Sequence, residues 1–141
     1  MKQSVPRSSG PPEPTFLLDE NISSPKIYRA LKAAGIAYRT FTEVLPRAST
    51  DVEVLMAASK NRLLLVTGDM DFRYHPAIRA AFPSSRTHVV VLASKKSMRA
   101  EETAALIVGA RKKITAFVSE TPAPALAKLG ADGKLVQVRV R

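Results

Sequence analysis

The 141 residues, 45% of them hydrophobic, suffice for one domain with a packed core, since domains commonly hold about 100–200 residues. Cysteine is absent, which excludes disulfides and thiolate metal sites, and no apolar run approaches the roughly 18 residues that a membrane-spanning helix needs. The net charge of +10 is unevenly placed, with +1 over residues 1–71 and +9 over residues 72–141, so the second half offers a cationic surface to polyanions.

Residues 1–14 contain four prolines and four Ser/Gly residues and read as a disordered leader. Lys2 and Arg7 are not followed by an apolar segment, so the leader does not read as a secretory signal. Membrane attachment is not expected either, because the chain has no strongly basic amphipathic helix with large aromatic anchors. The expectation is a soluble, cytoplasmic protein.

Thr15–Leu18 predicts a short buried strand. Ser24 then caps a helix that has Pro25 at its first position. Ile27, Ala30, Leu31 and Ala34 share one face of that helix, and Gly35 ends it. Ile36–Phe41 predicts a second strand, and Pro46 marks a loop. Thr50-Asp51-Val52-Glu53 is a capping-box pattern, followed by Val52, Leu55, Met56 and Ser59 at helical spacing. Leu63–Thr67 predicts a third strand, its unbroken apolar run typical of a parallel sheet buried on both faces. A short helix over Pro76–Phe82 and a fourth strand over His88–Leu92 follow. One long helix is predicted from Arg99 to about Phe117, with Ile107, Ala110, Ile114 and Phe117 near one face. It carries Arg111-Lys112-Lys113 late in its length, where cations complement the helix dipole. This alternation implies a three-layer α/β/α sandwich with a mainly parallel sheet. Thr121–Pro124 reads as a linker. Leu135–Arg141 alternates apolar and polar residues, as an antiparallel edge strand or an intermolecular one does.

The carboxylates lie where these elements begin and end. Asp19 and Glu20 follow the first strand, Asp51 and Glu53 open the helix after Thr50, and Asp69 and Asp71 follow the third strand. Six of the chain's 12 Asp/Glu residues fall at these three junctions. Taken singly, Asp51 reads as a helix cap, Asp19 with Asn21 as an Asx-type turn, and Asp69-Met70-Asp71 as an ordinary acidic turn. Taken together they point to one site, because open α/β sheets bind ligands beyond the carboxyl ends of their strands. Gathered carboxylates raise one another's pKa unless a cation neutralises them. Mg²⁺ or Mn²⁺ suits an oxygen-rich site of this kind and promotes phosphodiester hydrolysis.

Around this core, Glu20 and Glu53 are candidate contacts to metal-bound water, Asn21 is a candidate outer donor, and the Thr67 hydroxyl is a candidate partner of a carboxylate or a water. Arg73, directly after the acidic turn, and Lys95, Lys96 and Arg99, after the fourth strand, are candidate phosphate contacts. His75 is a weaker phosphate-contact candidate, and His88, opening a strand, reads as structural.

Phe16-Leu17-Leu18-Asp19-Glu20-Asn21, Ser49-Thr50-Asp51-Val52-Glu53-Val54-Leu55 and Leu64-Leu65-Val66-Thr67-Gly68-Asp69-Met70-Asp71-Phe72 together make the chain resemble bacterial PIN-like proteins related to VapC toxins. The resemblance spans roughly residues 15–118 and implies a PIN-like fold. It also implies a Mg²⁺- or Mn²⁺-dependent endoribonuclease, often paired with an antitoxin protein. The family's acidic positions fall here on Asp19, Asp51, Asp69 and Asp71, and Thr67 matches the hydroxyl residue before the last acidic pair. Arg73-Tyr74-His75-Pro76 departs from the small or glycine-containing segment common at that place, and the strand-like extension 133–141 is a further departure. The expected organisation is a leader over 1–14, a nuclease domain over 15–118, and a linker with a C-terminal strand over 119–141. That exposed strand also suggests a homo-oligomer. Two other readings remain: an inactive nucleic-acid or protein-binding module, and a phosphotransfer enzyme suggested by Asp69-Met70-Asp71. In haloacid-dehalogenase phosphatases, however, such a motif follows the first strand.

Overall fold

A computed structural model describes residues 12–93 and 98–140. Of the expected leader, residues 1–11 lie outside the described residues, as do Lys95, Lys96 and Arg141. The strands are β1 (Phe16–Leu18), β2 (Tyr38–Arg39), β3 (Leu64–Thr67), β4 (His88–Ala93), β5 (Ala125–Gly130) and β6 (Leu135–Val138). The helices are α1 (Pro25–Ala33), α2 (Phe41–Val44), α3 (Asp51–Lys60), α4 (Pro76–Ala81), α5 (Ala100–Gly109) and α6 (Arg111–Glu120). Among the described residues the strands form one sheet in the order β2-β1-β3-β4-β5-β6. All neighbours are parallel except β5 and β6. This is the expected α/β/α architecture with a mainly parallel sheet.

Side-chain alternation along the strands builds a core on each face. Phe16, Leu18, Leu64 and Val66 point to one side, where they pack with Ile27 and Leu31 of α1, Ile107 of α5 and Ile114 of α6. Leu17 and Leu65 point to the other side, against Phe41 of α2, Val54, Leu55 and Ala58 of α3, and Ile78 of α4. Leu17 and Leu65 are fully buried, and burial of a leucine side chain stabilises by about 1.5–3 kcal/mol.

Helix α1 begins as its sequence predicts. The Ser24 hydroxyl accepts from the Ile27 N–H at 3.3 Å, and Pro25 stands in the first turn. Gly35 follows the helix end with φ +74°, a conformation that glycine adopts without steric cost.

Several elements differ from expectation. Strand β2 is only Tyr38–Arg39, because the Glu43 carboxylate accepts from the Thr40 N–H at 2.7 Å and turns Phe41 into α2. In α3 the buried stripe is Val54, Leu55 and Ala58, whereas Met56 is exposed. The helix is rotated from the predicted face, bringing Val54 rather than Met56 onto Leu17 and Leu65. The long helix predicted over Arg99–Phe117 breaks into α5 and α6 at Gly109–Ala110, where Ala110 leaves helical geometry with ψ 5°. Gly109 weakens the helix there, while Ile107, Ala110, Ile114 and Phe117 remain buried across the break.

The break places Arg111 at the start of α6 rather than late in a helix. Its guanidinium pairs with Glu13, Nη2 to Oε1 at 2.6 Å and Nε to Oε2 at 3.1 Å, and also donates to the Ala34 carbonyl. Strand β5 was not expected at all. Ala125-Leu126-Ala127-Lys128-Leu129-Gly130 lacks β-branched residues, yet it pairs along its whole length with β4. The predicted C-terminal strand appears as β6, antiparallel to β5 and last in the sheet.

Candidate functional site

The site forms where β1 and β3 end side by side. Their parallel register pairs Leu18 with Val66, which sets Asp19 level with Thr67. By the same alternation that turns Leu17 and Leu65 toward α3 and α4, Asp19 and Thr67 face that layer too. Asp51, the first residue of α3, and His75, the residue before α4, come to the same place from the helical side.

Asp19 is buried, with only 7% of its surface exposed. Its Oδ2 accepts from the Thr67 hydroxyl at 2.7 Å and its Oδ1 from the Glu20 N–H at 2.7 Å. Burial pushes the Asp19 carboxyl up from its ordinary pKa. The two hydrogen bonds oppose that rise, and the charges of Asp51 and Asp69 add to it. The Thr67 oxygen also accepts from the Asp69 N–H at 3.1 Å, so one hydroxyl ties Asp19 to the acidic turn. Within the turn, Asp69 Oδ1 accepts from the Asp71 N–H at 2.9 Å, an Asx-type turn. The other oxygen, Oδ2, lies 2.6 Å from His75 Nε2, and Asp51 Oδ2 lies 3.5 Å from the same nitrogen. The bond to Asp69 raises the His75 pKa above its ordinary value. Partial burial opposes the rise, while the charges of Asp69, Asp51 and Asp71 support it.

The surrounding residues hold backbone in place. The Asn21 side-chain Oδ1 accepts from the Gly68 N–H at 3.2 Å. A side chain at Gly68 would begin 2.9 Å from Ile22 Cγ2, so only glycine lets the turn approach the β1 end this closely. Glu20 Oε1 accepts from the Ala48 N–H at 2.9 Å, tethering the loop that leads to Asp51. Glu53 accepts from the Thr50 N–H at 2.7 Å and donates its own N–H to the Thr50 hydroxyl at 3.2 Å. Thr50, not Asp51, is therefore the cap, which leaves the Asp51 carboxylate to the site.

The predicted site residues thus separate into groups. Asp19, Asp51 and Asp69 converge, with Thr67 between two of them. Asp71 is exposed at the rim, and its charge reaches His75. Glu20, Asn21 and Glu53 support the backbone that carries the acids. Arg73 turns to the C-terminal segment, donating from Nη1 to the Arg139 carbonyl at 2.9 Å, and its guanidinium lies 4.6 Å from the centre of the Tyr74 ring. Arg99 caps α5 beyond the carboxyl end of β4, with its Nε 3.7 Å from Glu102 Oε1. Lys95 and Lys96 lie outside the described residues. The sequence reading missed the direct partnership of His75 with Asp51 and Asp69. The signal was Pro76, which starts α4 and reverses the chain so that His75 faces the turn it has just left.

Asp51, Asp69 and His75 each offer one ligand atom, and these atoms lie within 4.8 Å of one another. Two carboxylate oxygens and an imidazole nitrogen form a donor set that suits a divalent cation. Buried Asp19 adds further negative charge, so the residues present fit such an ion.

Residues 14–94 match the family described as PIN like domain. The matched stretch is more than half of the chain and contains every member of the acidic cluster. This protein belongs to that family, whose members are commonly metal-dependent nucleases. No curated protein and no solved structure matches the chain. No helix among the described residues is long and apolar enough to cross a membrane.

Proposed function

We propose that this protein is a metal-dependent endoribonuclease that uses Mg²⁺ or Mn²⁺ to hydrolyse RNA phosphodiesters. The observation that carries the proposal is the convergence of Asp19, Asp51 and Asp69 at the carboxyl edge of β1 and β3, together with the match to a family whose members are commonly nucleases. A divalent ion bound there supplies Lewis acidity, polarising a phosphoryl oxygen and lowering the pKa of a water. Asp51 and Asp69 hold the ion. Asp19 adds buried negative charge and, through Thr67, fixes the Asp69 backbone. Arg99, with Lys95 and Lys96 just before it in the chain, follows β4 and suits the phosphates of a bound strand. The net charge of +9 over residues 72–141 favours a polyanionic substrate.

Cleavage of a mixed RNA pool by purified protein, with Mg²⁺ or Mn²⁺ and with chelator, tests this reading. Wild type cuts only with the ion, and Asp69→Asn does not cut although its circular dichroism is unchanged. Full cleavage by Asp69→Asn refutes the mechanism. The resemblance to VapC-related toxins extends the proposal to a toxin held in check by a cognate antitoxin protein. Growth arrest on expression, relieved by co-expressing a cognate antitoxin protein, is the expected result.

A further inference from the structure

We propose that His75 is a nitrogen ligand of the cation held by Asp51 and Asp69, and that this ligand makes the site take Mn²⁺ ahead of Mg²⁺. The inference rests on the metal site proposed above but not on its catalysing any reaction.

The imidazole is already in place. Its Nε2 is 2.6 Å from Asp69 Oδ2 and 3.5 Å from Asp51 Oδ2, so a cation shared by the two carboxylates lies within reach of the same nitrogen. The backbone fixes this aim. The His75 N–H donates to the Phe72 carbonyl at 3.3 Å, and the His75 carbonyl accepts from the Arg79 N–H at 2.9 Å. Pro76 sets the start of α4 between these bonds. The His75 and Asp51 side chains are each 40% exposed, which leaves open positions for water or a phosphate oxygen beside the three protein ligands.

The donor set discriminates between ions. Mg²⁺ is a hard ion that favours oxygen ligands, keeps several waters and demands near-ideal octahedral geometry. Imidazole nitrogen is a poorer partner for it than for first-row transition ions. An all-carboxylate site gains little from choosing Mn²⁺, whereas one imidazole tips the choice. The segment that departs from the family resemblance, Arg73-Tyr74-His75-Pro76, thereby supplies a donor that the four acidic positions lack.

The chain suits a direct test because it has only two histidines. His88 opens β4 at the opposite end of the sheet, its Nε2 2.6 Å from the Thr121 carbonyl oxygen and its ring edge-on to Phe117. Protein labelled with ¹⁵N-histidine, loaded with Mn²⁺ and examined by pulsed electron paramagnetic resonance, is expected to show coupling to a histidine ¹⁵N. Unlabelled protein shows the ¹⁴N counterpart, and His75→Ala and His75→Gln show neither. In parallel calorimetric titrations, His75→Ala lowers Mn²⁺ affinity by about tenfold or more and leaves Mg²⁺ affinity within about threefold. The loss of an outer-shell partner alone costs roughly 10–100-fold in metal sites, and His75 is proposed to touch the ion. Mn²⁺ bound to wild type without histidine coupling overturns the proposal, as does an unchanged Mn²⁺/Mg²⁺ ratio in folded His75→Ala. Retention of both ions by Asp69→Asn instead refutes the shared metal site, separating that failure from failure of the nitrogen ligand.

Discussion

The two ends of the parallel sheet differ in chemistry. At the carboxyl ends of β1 and β3, Asp19, Asp51 and Asp69 crowd together with His75. At the amino ends of β3 and β4, a cavity of about 360 Å³ is lined by Ser59, Arg62, Arg86 and His88, with no carboxylate among its lining residues. Each end has one histidine. His75 meets carboxylates, whereas His88 meets a backbone carbonyl and an aromatic edge. The contrast teaches that the fold sorts charge along the strand direction. Like charges are brought together at the carboxyl edge, where the net of hydrogen bonds through Thr67, Asn21, Glu20 and Glu53 holds them against their mutual repulsion.

Replacing charge at each end in turn gives the largest expected difference. Asp51→Asn with Asp69→Asn should abolish the proposed RNA cleavage and lower divalent-ion affinity by at least about tenfold, as read by calorimetry. Retained binding breaks the contrast. Thr67→Val should come next. It strips a fully buried hydroxyl that serves Asp19 Oδ2 and the Asp69 N–H, leaving both without that partner. The expected cost is about 1–3 kcal/mol in denaturant unfolding, and an unchanged midpoint shows that the bridge is dispensable.

The pH dependence of metal-free protein sharpens the comparison further. The folded-state pKa of His75 is raised, chiefly by Asp69. Its contribution to stability is therefore fully present below the ordinary histidine value of about 6.5 and is lost as pH rises through the folded value. Thermal unfolding should show wild type more stable than His75→Ala at about pH 5.5 and the gap narrowing as pH rises above the ordinary histidine value of about 6.5. Divalent-ion binding should run the opposite way, strengthening as pH rises, because the proposed imidazole ligand must be neutral. Finally, Arg62→Ala and Arg86→Ala should leave stability within about 0.5 kcal/mol and ion affinity unchanged. A loss of ion affinity there would show that the two ends are coupled.

Much of this was legible before any coordinates. Apolar runs that end in acids, in strands that prove parallel and adjacent, placed Asp19 and Asp69 correctly at one edge, and the Thr50/Glu53 pattern placed Asp51. What stayed hidden depended on contacts far along the chain or on weak local signals. Arg73 follows the acidic turn directly, yet Arg139, 66 residues later, claims its guanidinium. Strand β5 was hidden because alanine and lysine are poor strand formers and pairing with β4 and β6 specifies it. The break between α5 and α6 was masked by an apolar stripe that continues across it. The short reach of β2 was readable in Thr40 and Glu43, a capping pair like the one that opens α3.

Asp69 divides its labour between its two oxygens, one closing the turn onto the Asp71 N–H and the other facing Asp51 and His75. The loop is therefore folded by the residue it presents. A single-residue insertion between Thr67 and Asp71 would separate the oxygen that closes the turn from the oxygen that faces the site, so the length of this short segment is as constrained as the identity of Asp69.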